Sequence, residues 1–363
     1  MLAAGGFRIG LYTSPHLMRY NERVRVAGAD ASDAALCKAF AAIEAVRQDT
    51  PLTYFEFGTL AALWLFARAE LDALLLEVGL GGRLDAVNIV DPDVAIVTTV
   101  AIDHVDYLGA SRDAIGREKA GIFRAGRAAV CADRDPPPPL IEHAATIGAI
   151  LLRIGIDYDF TPYGTQWSYR GPGGSRHGLP YPALRGEYQL ANAATAITAL
   201  DALRARLPLD MGAVRNALVG VELRGRFQVL PGRPVRVLDV AHNPQAARAF
   251  ADNLGAMGFH PETWAVFGIM ADKDIDGVIA ALRPRVDRWL VATLPPPRGA
   301  TASMLRTRLG AAGVAGEAIR EFDAPAAAYR AACEEVAEAD RIIVFGSFLT
   351  VAAAIASPPA APA

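Results

Sequence analysis

Polar residues stand at the ends of apolar runs in three places along this chain, and open α/β sheets bind ligands at the carboxyl ends of their strands. In LLLEVGLGGRLDAVN, Glu77 closes a strand-like run and leads into glycines at 79, 81 and 82. This spacing loosely imitates a dinucleotide fingerprint. Arg83, Leu84 and Asp85 nevertheless occupy the helix opening that a pyrophosphate needs, and a plain tight turn explains the glycines equally well. In VTTVAIDHVDYLG, Asp103, His104 and Asp106 come after the next run. A carboxylate and an imidazole ending neighbouring strands have the chemistry to share a divalent ion that also bears phosphate oxygens; a lone histidine would be structural. In SRDAIGREKAGIF, Ile115, Lys119 and Ile122 fall at i, i+4 and i+7, which sets an ammonium on the apolar stripe of a helix. Burying that charge unpaired costs roughly several kcal/mol, so the amine must snorkel to the rim, pair or be modified. A carbamylated lysine, carboxylate-like and able to ligate a cation, is the sharpest of these alternatives.

The third strand end lies in VRVLDVAHNPQAARAFADNL. Asp239 closes the strand, Asn243 is placed to cap the next helix, and Pro244 suits its first position. Asp239, His242 and Asn243 thus crowd onto a corner that faces helix N-terminal amides. The corner suits a phosphate or carboxylate ligand, or it is a capped turn with incidental neighbours. Just upstream, RGRFQ sets Arg224 and Arg226 at a domain junction, either as ordinary surface arginines or as cations that reach a phosphate.

These ends need two α/β units to position them. In the first, FRIGLYT, ALLLEVG and VAIVTTVA read as strands, and 33–48, 58–70 and SRDAIGREKAGIF as helices. The opening MLAAGG reads as the last turn of a helix with its glycine stop. Residues 157–182 are rich in aromatics and turn formers, which predicts an irregular antiparallel insertion before the helix YQLANAATAITALDALRA. A break at LPGRP, 230–234, then precedes VRVLDVA, WAVFGIMA, RWLVATL and RIIVFGS, each leading into a helix. That pattern predicts a doubly wound Rossmann-like unit of four strands and four helices, with domains at 1–229 and 230–363. The tail SPPAAPA has nothing to pack.

Composition narrows the class. With 52% apolar residues over 363 positions the chain fills two cores, and a net charge of −3 gives no electrostatic case for nucleic acid or an anionic membrane. Cys37, Cys131 and Cys333 show no metal or disulfide spacing and read as reduced thiols of a cytoplasmic protein. No signal-peptide pattern and no apolar stretch of about 18 residues occurs.

Read together, GLYTSPHLMRYNERVRV, TYFEFGTLAAL, LLLEVGLGGRLDAVN, IDHVDYLG, IGREKAGIFR, YQLANAATAI, GRFQ, DVAHNPQA and VFGSFLTV resemble the folylpolyglutamate synthase and dihydrofolate synthase family of the Mur-ligase superfamily. The stretches run from about residue 8 to 355, and their combined order is specific. The resemblance implies an α/β, Mur-ligase-like fold: a P-loop-type ATPase domain and then the Rossmann-like C-terminal unit. It implies a monomer that uses ATP and Mg²⁺ to join L-glutamate to dihydropteroate and to reduced folates through an acyl phosphate. By motif, Glu77 and His104 resemble Mg²⁺ ligands and Lys119 the carbamylated lysine. Asn192 resembles the adenine contact, and Arg226 and Asp239 nucleotide contacts. His242 and Asn243 resemble the glutamate-facing corner, with Lys119, His242 and Asp239 nearest the chemistry. Ser347 belongs to the terminal GSF motif, and Thr53, Phe55 and Asp85 match the pterin or folate site.

One departure stands out. The family carries a strand and a glycine-rich phosphate loop before the helix that leads into GLYTSPHL, yet no G-x-x-x-x-G-K-[ST] occurs in these residues. The resemblance thus predicts an N-terminally incomplete first domain, as a start placed at an internal methionine would give, with exposed apolar strand surface where the absent strand would lie. Two other readings remain open: a catalytically inactive chain that keeps folate or partner binding, and another Mur-type amino-acid ligase.

Overall fold

The computed structural model describes residues 1–358, the side chain of Glu187 excepted. From residue 359 the tail lies outside the described residues. The chain forms two compact units, Met1–Ala183 with Glu187–Val221, and Leu184–Gly186 with the chain from Glu222 onward.

In the first unit a 3₁₀ turn, Ala3–Gly5, stops on Gly6 in the left-handed region (φ 87°), as the opening residues predict. Next come β1 (Ile9–Tyr12), β2 (Val24–Val26), β3 (Ala29–Asp30), α1 (Asp33–Arg47), α2 (Tyr54–Phe66) and β4 (Ala73–Leu76). The sheet runs β3-β2-β1-β4, with β1 and β4 parallel. The α2 helix begins at Tyr54 rather than at residue 58, because Thr53 and Glu56 form a reciprocal capping box.

A second, all-parallel sheet runs β5-β6-β7. It is built from β5 (Val94–Val97), α3 (Val105–Leu108), α4 (Arg112–Ala120), β6 (Ala128–Cys131), α5 (Pro138–Ile147) and β7 (Ile150–Arg153). The sequence reading of β4 and β5 as neighbours is corrected here: each lies in a different sheet. Leu74 and Leu75 of β4 and Ile96 of β5 are exposed.

The insertion is the antiparallel sheet β10-β9-β8, from β8 (Asp159–Tyr163), β9 (Gln166–Gly171) and β10 (Gly174–Pro180), and after it come α6 (Glu187–Ala202) and α7 (Met211–Gly220). Trp167 and Tyr169 are buried against Leu190, Ala194 and Ile197 of α6. The Tyr169 hydroxyl lies 2.9 Å from the Thr198 hydroxyl and donates to Asp201 at 3.1 Å, and Asp201 also accepts the Arg176 guanidinium through two nitrogens. Tyr169→Phe removes the buried hydroxyl while keeping the ring, and should lower stability by about 1 kcal/mol in urea denaturation, without altering the far-UV circular dichroism.

The second unit holds β11 (Gln228–Leu230), β12 (Val235–Leu238), α8 (Pro244–Gly255), β13 (Thr263–Phe267), α9 (Ile275–Leu282), β14 (Arg288–Ala292), α10 (Ala302–Ala311), β15 (Ile319–Phe322), α11 (Pro325–Glu335), β16 (Arg341–Phe345) and α12 (Phe348–Ala356). Its sheet runs β11-β12-β16-β13-β14-β15, and only β11 is antiparallel to its neighbour. Among the described residues, six strands and five α-helices thus replace the expected four and four. LPGRP is a hairpin connection rather than a break between domains, so a boundary at 229/230 falls inside β11 and the unit begins earlier. The β15 segment IREF is polar at two of its four positions, which conceals it from an apolar-run reading. β16 is buried at every position, and the Phe345 ring stacks on Phe267 at 4.8 Å.

Candidate active site

The first unit gathers its site residues through a loop laid on a helix end. The Arg83 amide donates to the Glu118 carbonyl at 2.8 Å, and its guanidinium pairs with the Glu118 carboxylate at 3.0 Å. Asn88 donates to the carbonyls of both Arg83 and Gly121 at 3.1 Å. The approach requires glycine: a Cβ on Gly121 would stand 2.4 Å from that of Arg83, and one on Gly82 would stand 2.8 Å from the Glu118 carbonyl oxygen. The segment after Glu77 is thereby fixed to the C-terminal end of α4, the helix that carries Lys119. The glycine spacing serves this contact, and the loop runs on into a 3₁₀ turn, Ala86–Ile89, capped by Asp85.

Lys119 sits on α4 beside the buried Ile115, whereas Ile122 falls beyond the helix end yet still packs on the same core. Desolvation holds the Lys119 amine below the usual lysine range, and the charge of Asp103 works in the opposite direction. Glu77 accepts the Ser14 amide at 2.9 Å, tying the end of β4 to the loop after β1. His104 opens α3 with φ 52° and ψ 44°, a left-handed conformation that costs a non-glycine residue about 1–2 kcal/mol. Such strain is held by surrounding structure and concentrates at functional sites.

Among the described residues, no three His, Cys, Asp or Glu side chains converge as a metal cluster. Glu77 and His104 offer one oxygen and one nitrogen donor, which fits Mg²⁺ held largely by phosphate oxygens and water rather than a protein cage.

The three residues matched to a pterin or folate site are drawn together. The Asp85 carboxylate accepts the amides of Gly79 at 3.0 Å, Leu80 at 2.9 Å and Val87 at 2.9 Å, folding the glycine loop around itself. A Cβ on Gly79 would lie 2.5 Å from Cζ of Phe55, so the ring rests on the Gly79 backbone. Thr53 starts the same helix, and its hydroxyl accepts the Glu56 amide at 3.2 Å.

Beside them lies a cavity of about 470 Å³ lined by Tyr20, Phe40, Thr53, Tyr54 and Phe57. Behind its rings, Arg23 stands 5.5 Å from the Tyr20 centroid and 5.4 Å from that of Tyr54, and donates to His16 Nδ1 at 2.8 Å. Apart from Thr53, sequence reasoning singled out none of these residues. The available signal was the aromatic and basic density of GLYTSPHLMRYNERVRV, whose loop is set by Glu22 accepting the amides of Leu17, Met18 and Arg19. On α6, the exposed Asn192 side-chain amide donates to Gln189 at 3.0 Å.

In the second unit, Asn243 caps α8 by accepting the Ala246 amide at 2.9 Å, Pro244 takes the first helical position, and His242 Nδ1 lies 2.9 Å from the Val240 carbonyl. Ser347 caps α12, accepting the Leu349 amide at 3.2 Å. Arg226 stands 5.1 Å over the Phe348 ring. Asp239 is 7% exposed, and its oxygens accept the amides of Phe227 and Ala241 at 2.8 Å rather than the α8 N-terminal amides that the sequence reading placed before it. Burial raises its pKa against those two bonds and the nearby Arg226 charge.

Residues 31–200 match the Mur ligase middle domain, and 225–348 the Mur ligase glutamate ligase domain. The dihydrofolate synthase/folylpolyglutamate synthase of Escherichia coli (strain K12) is 44% identical over 352 residues, covering 97% of this chain and 80% of that protein. The chain belongs to the dihydrofolate synthase/folylpolyglutamate synthase family of Mur ligases. The structure of E. coli FolC in complex with DHPP and ADP superposes with a TM-score of 0.92 at 43% identity, covering 98% of this chain and 83% of that one. The bifunctional synthase of Yersinia pestis, solved with AMPPNP and a Mn ion, gives 0.90 at 46% identity over 98% and 83% of the two chains. The family match spans both units, from the folate-matched loops of the first to the Asn243 corner of the second.

Proposed function

We propose that this family member is an ATP-dependent ligase that adds L-glutamate to dihydropteroate, forming dihydrofolate, and extends reduced folates as polyglutamates. The similarity to the E. coli bifunctional synthase, along nearly the whole chain, carries the reading. In the reaction a carboxylate oxygen of the pteroate or folate attacks the γ-phosphorus of ATP and ADP leaves. The glutamate amine then attacks the acyl carbon, loses a proton and expels inorganic phosphate.

This chain's residues supply what those steps need. Phe55 and the glycine loop held by Asp85 offer a flat apolar surface beside polar groups, suited to a pterin ring. Asn192 presents a side-chain amide, donor and acceptor together, that suits an adenine edge. Arg226 brings a guanidinium suited to a phosphate, and the α8 terminus at His242 and Asn243 suits a glutamate carboxylate. Ser347 holds the start of α12 in the same unit. Glu77 and His104 would hold Mg²⁺, which neutralises phosphate charge when bound. The half-buried amine of Lys119 has the depressed basicity that favours reaction with carbon dioxide, and a carbamate there would place a carboxylate-like charge near the cation. A cytoplasmic monomer accords with this reading; among the described residues no helix is long and apolar enough to cross a membrane.

Dihydropteroate fluorescence tests the substrate class. The chain should quench it saturably, and Asp85→Ala, which frees three loop amides, should weaken binding about tenfold. Binding of a nucleotide-linked cell-wall precursor with no pteroate quenching would instead assign the chain to another Mur-type ligase.

A further inference from the structure

We infer that Asp239 is a positioning residue: it locks the Gly225–Phe227 turn in a left-handed conformation and so presents Arg226 over Phe348. The inference rests on the proposed role of Arg226 toward a nucleotide phosphate, but its geometry stands alone. Phe227 has φ 42° and Gly225 φ 69°. For an aromatic residue this backbone is unfavourable by about 1–2 kcal/mol, so something must hold it.

Three bonds do so. The Phe227 amide donates to Asp239 Oδ2 at 2.8 Å, the Val240 amide donates to the Gly225 carbonyl at 2.9 Å, and the Gly225 amide donates to Gln228 Oε1 at 3.0 Å. Asp239 is itself fixed, because Oδ1 accepts the Ala241 amide at 2.8 Å and its own amide donates to the Val344 carbonyl of β16 at 3.0 Å. The turn is therefore referenced to the central strand of the sheet. Phe227 directs its ring into the core, 5.7 Å from that of Phe250. Gly225 and Phe227 are buried on either side of Arg226, whose side chain is partly exposed and lies 5.1 Å over the Phe348 ring. The Asp239 carboxylate, 7% exposed and accepting two amides, thus determines where the neighbouring guanidinium points.

The experiment compares wild type, Asp239→Ala, Asp239→Asn, Arg226→Ala and the double variant Asp239→Ala/Arg226→Ala. In the ligand-free proteins, amide hydrogen exchange over residues 224–228 and the rate of phenylglyoxal modification at Arg226 report the turn. Both should rise in Asp239→Ala while β16 stays protected, and Asp239→Asn, which retains one acceptor oxygen, should fall between. ADP titration then reads the consequence. Asp239→Ala should weaken ADP about tenfold, equivalent to about 1.4 kcal/mol, and should cost clearly less when Arg226 is already alanine.

Unchanged exchange and modification in Asp239→Ala overturn the inference, as does a loss that adds in full to that of Arg226→Ala. If Asp239→Ala does not fold, the same comparisons are made with Asp239→Asn alone and in the Arg226→Ala background. If Arg226→Ala leaves ADP binding unaltered, or wild type binds none, the nucleotide role of Arg226 fails, while exchange and modification still decide the positioning claim.

Discussion

Lys119→Ala should lower acceptor-dependent ADP release by about 100-fold or more, the scale of losing one preorganised charged group at a phosphoryl-transfer site. The expectation comes from where the amine sits. It lies on the apolar side of α4, next to the buried Ile115, and desolvation keeps it less basic than a surface lysine while Asp103 partly opposes the shift. A neutral amine attacks carbon dioxide, forms a carbamate and releases a proton; a permanently protonated one does not. Lys119→Arg keeps a cation and cannot be carbamylated, so it should be as inactive as the alanine variant. Acetate or propionate added to Lys119→Ala should restore part of the rate by supplying a carboxylate in the vacated space. Equilibration of wild type with ¹³C-labelled bicarbonate should give a carbamate resonance that Lys119→Arg lacks. Full activity in Lys119→Arg would show that the residue serves as a cation and that no carbamate is involved.

Gly121→Ala should destabilise the protein by about 2–3 kcal/mol, near the upper range for forcing atoms into a filled contact. The new methyl would meet Cβ of Arg83 at 2.4 Å and its Cα at 2.7 Å, so relief requires moving backbone and not merely turning a flexible side chain. The displaced element would be the loop after Glu77, pushed off the helix that bears Lys119. Urea denaturation should therefore show a lower midpoint, and the folded fraction should also lose ligase turnover. Gly126→Ala is a useful comparison: it has the left-handed φ of 66° with open space around it, so it strains the backbone without disturbing this contact. It should lose some stability but keep its turnover per folded molecule.

Much of this architecture is legible in the chain because strands that end in Glu77 and Asp239 are short apolar runs bounded by turn formers, and because Asn243 and Pro244 mark a helix start by local chemistry alone. Elements whose cause is not local are harder to read. The α2 start depends on a reciprocal bond between Thr53 and Glu56, while the sequence around it is apolar enough to begin anywhere. β11 exists because it pairs with β12, and β15 because it edges a sheet, so neither shows a distinctive pattern. Among the site residues, the types were readable but their orientations were not. Asp239 is placed at a strand end by the sequence, but that its carboxylate holds the Phe227 amide depends on the positive φ of Phe227, a property of the folded turn. The Tyr20, Arg23 and Tyr54 cluster is likewise assembled from separate segments, and none of its members is unusual alone.

The most direct test of the ligase account is glutamylated product, measured by mass spectrometry alongside ADP release, with ATP, Mg²⁺, L-glutamate and dihydropteroate or a reduced folate. It is run on residues 1–363 and on the same chain preceded by a strand and a G-x-x-x-x-G-K-[ST] loop, which these residues do not contain. The account predicts addition of glutamate to the acceptor, with ADP released only when acceptor and glutamate are both present. ADP release indifferent to the acceptor, or no glutamylated product from either protein, would contradict it.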